Sequence, residues 1–111
     1  MKKVYVIIDE DIWFDQLGEI QGYDSDVIHV CSSGDIAINY VNEYIKDFIY
    51  DVKENEEKEN PEDKYTYIDR ELTLDDLNRE DFIFYYRRHG PDFTLKYCCN
   101  IKIKEMEVFE D

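Results

Sequence analysis

An antiparallel sheet of about five to six strands with one main amphipathic helix on one face, an α+β domain, is the fold the sequence predicts. Three observations lead there. Short runs rich in β-branched and aromatic residues recur along the chain, one stretch has a clean helical period, and a Gly-Pro turn separates two aromatic runs. The chain has 111 residues, the span of one domain, with 43% hydrophobic and 15% aromatic residues, enough to build a core. A compact body of this length has a radius of gyration of about 13 Å.

Residues 3–8 (KVYVII) read as a first strand. Residues 9–25 carry Asp9-Glu10-Asp11 and glycines at 18 and 22, and read as an irregular connection with a helical turn around Trp13. Residues 26–31 read as a second strand. The helix follows. Ser32 is the expected N-cap with Asp35 three residues on, and apolar residues fall in pairs every four positions from Ile36 to Val52. Residues 53–64 (KENEEKENPEDK) read as a solvated linker inside the domain, with a turn or two of continued helix as the alternative, and Pro61 disfavours helix at Asn60. Residues 65–72 are a third strand, and Thr73 and Asp76 sit at capping-box spacing. Residues 82–88 and 93–99 flank His89-Gly90-Pro91-Asp92 as a hairpin. From Ile101 the alternation continues but slips at Glu105, which predicts a bulged strand or two short ones.

Charge is the strongest compositional signal. Asp and Glu number 28 against 13 Lys and Arg, a formal net charge of −15. Residues 1–64 hold 17 acidic and 6 basic side chains, while 65–111 hold 11 and 7. Glu43, Asp47 and Asp51 recur every four residues, so they stack on one helix flank about 6 Å apart. Like charges at that spacing weaken a helix by a few tenths of a kcal/mol per pair, so selection for something other than helix stability is implied. The candidate partner-binding residues are therefore Glu43, Asp47 and Asp51, then Glu54, Glu56 and Glu57 in the acidic segment. Asp9, Glu10 and Asp11 form a second patch. Solubility and repulsion of nonspecific partners are the plain alternative.

Other chemistries find less support. Asp9 with Asp11, and Asp24 with Asp26, are two i, i+2 acid pairs. An EF-hand counted from Asp24 places His29 where glycine is needed and Asp35 where glutamate is needed. CxxC and HExxH motifs are absent, so neither metal nor cofactor is expected. Cys31 and His29 share a strand face and could act as a thiol and its base, but a buried structural cysteine is the commoner meaning. Arg79, Arg87, Arg88 and His89 are the one basic locality, suited to ion pairs. The net charge opposes direct nucleic-acid binding. The N-terminal apolar run, residues 4–8, is too short for a signal peptide or a membrane span. Three cysteines without framework spacing imply free thiols and a cytoplasmic setting.

The stretches KVYVII (3–8), VIHVCSSGDIAINYVNEYI (27–45) and YTYIDREL (65–72) resemble a layout of small phage and mobile-element proteins: strand, strand ending in a serine pair, Ala-containing helix, tyrosine-rich strand. The resemblance implies a setting in which small acidic proteins disarm host nucleic-acid-binding machinery, anti-CRISPR proteins included, and it carries over no site residue. The expectation is a non-enzymatic, DNA-mimicking inhibitor that binds a basic nucleic-acid-binding surface of a host defence protein in the host cytoplasm. A structural or assembly module that self-associates, as a homodimer for instance, through a tyrosine-rich sheet is the second expectation, and a Cys31/His29 enzyme the third.

Overall fold

The computed structural model describes residues 2–108. Strands β1 (Lys2–Phe14) and β2 (Ile20–Cys31) form a long hairpin, and helix α1 (Gly34–Asp51) follows. The helix runs on through a π-helical turn, Val52–Glu56, and a last α turn, Glu57–Glu59. Strand β3 (Lys64–Tyr67), a 3-10 turn (Leu74–Asn78), β4 (Phe84–His89) and β5 (Leu95–Val108) complete the chain. All pairings are antiparallel, in one five-stranded sheet of order β2-β1-β5-β4-β3. The α+β architecture with one main helix is the one the sequence predicts.

Individual elements depart from expectation, each for a physical reason. Residues 9–14 are strand and not an irregular connection. The alternation continues through the acidic triplet, with Asp9, Asp11 and Trp13 on one side and Ile8, Glu10, Ile12 and Phe14 on the other. The hairpin turn is local chemistry. Asp15 Oδ1 accepts from the Leu17 and Glu19 N–H groups at 2.9 Å each, and Gly18 adopts φ +80°. Trp13 lies across Gly22, its cross-strand partner, so the ring covers backbone that glycine leaves bare.

Ser33, and not Ser32, caps the helix: its Oγ accepts from the Ile36 N–H at 3.3 Å. The segment 53–64 is largely exposed, but it is not irregular throughout, because the helix continues into it as far as Glu59. Tyr65 donates its hydroxyl to the carbonyls of Glu56 and Asn60, at 3.0 and 2.9 Å, and so closes the helix end just before Pro61. Asp76 accepts from the Thr73 N–H at 2.8 Å, as its spacing predicts. Strand β5 pairs with β1 from Tyr97 to Val108 without a register shift, so the slip at Glu105 is not a bulge. The shifts fall instead between Ile7 and Ile8 and between Trp13 and Phe14 in the β1–β2 pair, and between Arg88 and His89 in the β4–β5 pair.

The core lies between α1 and one face of the sheet. Ala37, Val41, Ile45, Ile49 and Val52 from the helix pack on Ile7, Phe84, Tyr86 and Ile101. Phe48 meets Phe84 and Tyr86 edge-on, with centroids 5.9 and 5.1 Å apart. Strands of 13 and 14 residues at about 3.4 Å per residue outrun the core, so the molecule is elongated. It measures 54 × 26 × 19 Å, and its radius of gyration is 15.8 Å against the compact expectation.

Candidate acidic docking face

Strand alternation sorts the charges of the sheet. Asp9 and Asp11 point to the helix side, and the register sets Asp26 opposite Asp9 and Asp24 opposite Asp11. Four aspartates thus form a two-by-two array on one face. Side chains directly opposite lie about 5 Å apart, and like charges so placed destabilise a sheet. Among the described residues no Lys or Arg pairs with any of the four.

Only neutral donors answer them. Tyr44, one turn of helix above the strand, donates to Asp9 Oδ2 at 3.0 Å. Cys99 Sγ donates to Asp9 Oδ1 at 3.2 Å, and the Tyr97 hydroxyl donates to Asp11 Oδ1. Burial holds the Asp11 carboxyl above the usual range, and the neighbouring Asp9 and Asp24 charges add to it. The Asp24 charge raises Asp26. Burial, with Asp9 and Asp11 close by, pushes Tyr44, Tyr97 and Cys99 well up, so all three stay protonated donors. Ligating atoms of Asp9, Asp11 and Cys99 lie within 4.8 Å of one another. The Cys99 thiol donates to Asp9, so the three groups form a hydrogen-bonded trio.

The sequence-predicted site residues are dispersed. Glu43, Asp47, Asp51 and Glu54 are exposed on the helix, with Asp51 accepting from Asn55 at 2.6 Å and Glu54 pairing with Lys58 at 2.8 Å. By the 3.6-residue period Asp47 and Asp51 lie on the same flank of the helix as Tyr44. Glu43 instead lines a groove on the other flank with Asn42, Lys46 and Arg70. Glu56 is half-buried, and its Oε2 accepts from the hydroxyl of Tyr86, a fully buried ring, at 2.6 Å. Glu57 is half-buried beside it. Glu10 is separated from Asp9 and Asp11, because alternation turns it to the other face, 3.9 Å from Lys102.

Asp24 and Asp26 were visible in the sequence as an i, i+2 pair, but only the hairpin register brings them to Asp9 and Asp11. Asp63, in the supposed linker, is buried among its own cation partners. Burial raises its carboxyl, but hydrogen bonds from Arg88 at 2.7 Å and Lys96 at 3.2 Å outweigh that and hold it below the ordinary range. Of the basic locality, Arg79 pairs with Asp81 at 3.1 Å, and Arg87 lies 5.1 Å from the Tyr85 ring.

The opposite sheet face carries the reverse sign. Lys102 and Lys104 stand across from Ile8 and Val6, Arg87 stands across from Cys98, and Glu10 is the acid among them. Around these cations lie apolar side chains that no helix covers, including Val27 and Val30, 60% and 53% exposed. The tyrosines Tyr65, Tyr67, Tyr86 and Tyr97 belong to the helix-facing side. Tyr23 and Tyr85 stand on the outer face, which is otherwise mainly aliphatic and basic. Cys31 is buried, which pushes its thiol up, and His29 is stacked on Tyr40 with centroids 4.3 Å apart. Neither feature activates a nucleophile. No family model, no curated protein and no solved structure matches the chain. No helix among the described residues is long and apolar enough to cross a membrane.

Proposed function

We propose that the protein is a non-enzymatic inhibitor that docks its aspartate flank on a basic, nucleic-acid-binding surface of a host defence protein. The observation that carries this reading is the four-aspartate array. Asp9, Asp11, Asp24 and Asp26 oppose one another in two like-charged cross-strand pairs, and among the described residues no Lys or Arg pairs with them. Such an arrangement weakens the free protein and is relieved when a cationic surface closes on it. Asp47 and Asp51 stand on the helix flank that carries Tyr44. The cations on the reverse face make the molecule dipolar, so a positively charged partner is steered to one side of it. The anti-CRISPR or DNA-mimic setting comes from the resemblance of the strand–helix–strand layout to small phage proteins.

Capture from a host lysate, with washes at low and high salt, tests this. The expected catch is a nucleic-acid-binding protein that high salt releases and that duplex DNA competes away. The Asp11→Asn, Asp24→Asn, Asp26→Asn triple variant should lose it. A catch indifferent to salt, to DNA and to that variant would sink the proposal. Self-assembly is the second reading, favoured by the uncovered aliphatic face around Val27 and Val30. A Val27→Lys variant that dissociates an oligomer in sedimentation, while triple neutralisation of the aspartates leaves it intact, is the result that selects it.

A further inference from the structure

Strand β2 is the long free edge of the sheet. It has 12 residues and, among the described residues, one neighbouring strand, β1, which leaves its other row of backbone N–H and C=O groups without a strand partner. At the opposite edge β3 has only four residues. The regular part of the β1–β2 ladder runs from Gly22 to Val27, between the two register shifts. Within it the two sides of the edge differ sharply. Gly22, Asp24 and Asp26 face the aspartate array, while Tyr23, Ser25 and Val27 face the aliphatic side, in register with Ile12, Glu10 and Ile8. The row is apolar at Tyr23 and Val27, which stand beside Ile12 and Ile8 of β1, and polar between them at Ser25 and Glu10.

We infer that this edge takes up an extended segment of the partner as a sixth strand, and that the segment alternates Lys or Arg with aliphatic residues over about six positions. Every second side chain then lies over Asp24 and Asp26, and the others lie over Tyr23 and Val27. The backbone ladder fixes the segment, and the two unlike faces fix its phase. The inference rests on the reading of the aspartate flank as a docking face, and it specifies the chemistry of what docks. Charge decides the occupant. A second copy added antiparallel with like faces aligned sets Asp24 against Asp26 of the other β2, which is repulsive. Nucleic acid and anionic membrane meet the same repulsion.

Three eight-residue peptides test it by fluorescence anisotropy at low salt. One alternates arginine and valine, a second has the same residues as an arginine block followed by a valine block, and a third is the alternating peptide N-methylated at every second residue, in either phase. The alternating peptide should bind about tenfold or more tighter than the block peptide. N-methylation that faces the edge should abolish the gain, and backbone amides of residues 22–27 should gain exchange protection. Asp24→Asn with Asp26→Asn should reduce binding of the alternating peptide about tenfold. Equal binding of the alternating and block peptides, unaffected by N-methylation, overturns strand addition and leaves charge-driven docking standing. Failure of every arginine peptide to bind overturns both.

Discussion

The aspartate array makes a stability prediction that needs no partner. Asp11 faces two carboxylates, Asp24 across the strand pair and Asp9 two residues along. At about 5.5 Å across the pair, and within 4.8 Å between the nearest ligating atoms of Asp9 and Asp11, even with the dielectric constant of water, the two repulsions come to about 1.6 kcal/mol. Asp11→Asn removes both and keeps an oxygen to accept from Tyr97. An amide accepts less strongly than a carboxylate, an offset of about 0.5 kcal/mol. The variant should therefore be more stable than wild type by about 1 kcal/mol at low ionic strength, a rise in Tm of about 4–8 °C. Urea unfolding at pH 7 reads this directly. At 1 M salt the Debye length is about 3 Å and most of the gain should vanish. The pH dependence has a definite sign. The folded carboxyl is raised, so folding favours its protonated form, and the carboxylate's cost is full at pH 7 and fades as pH falls through the folded value. The advantage of the variant should shrink between pH 7 and about pH 4. A destabilised variant, or a gain that persists in high salt, refutes the claim that the array is electrostatically strained.

Other perturbations probe the features around the array. Glu56→Ala leaves the buried Tyr86 hydroxyl without its acceptor and should cost about 2 kcal/mol in urea unfolding, whereas Tyr86→Phe should cost less because Glu56 retains access to water. Asp63→Asn withdraws the charge shared by Arg88 and Lys96 and should cost roughly 2 kcal/mol. Because the folded Asp63 carboxyl is lowered, that cost should be full near pH 6 and should disappear as pH falls below about 4. Phe93 holds φ +65° in the β4–β5 turn with its ring 71% exposed, so Phe93→Gly should stabilise by about 1 kcal/mol by relieving left-handed backbone strain, seen as a higher Tm.

Much of the fold was legible because the signals were local. The pairs from Ile36 to Val52 mark the helix, and the Thr73–Asp76 spacing marks its small neighbour. The long hairpin was not legible, because Asp9, Asp11, Asp24 and Asp26 have low strand propensity and propensity is overridden when a strand is paired on both sides, as β1 is. The same blindness hid half of the candidate site. Asp9 and Asp11 were singled out, but their partners Asp24 and Asp26 become neighbours only through a register that the Asp15–Gly18 turn dictates. Glu10 and Glu56 show the converse. An acidic residue in an acidic run reads as surface, yet alternation turns Glu10 away and a tyrosine hydroxyl claims Glu56. Sequence counts charges, and only the pairing of strands says which of them face one another.

The central position of β1 also governs the order in which the protein can fold. Its pairing with β2 spans a five-residue connection, but its pairing with β5 joins Lys2 to Val108. The hairpin can close in about 1–10 μs, long before the second contact, whose loop entropy is among the largest the chain can incur. During synthesis the N-terminal hairpin therefore emerges with both β1 and β2 edges bare, and the helix has no complete sheet to cover until β5 arrives. The aspartates that burden the finished fold are useful in that interval. Like charges on a bare strand disfavour its pairing with an identical strand, so the array opposes edge-to-edge association while the centre of the sheet is still an edge.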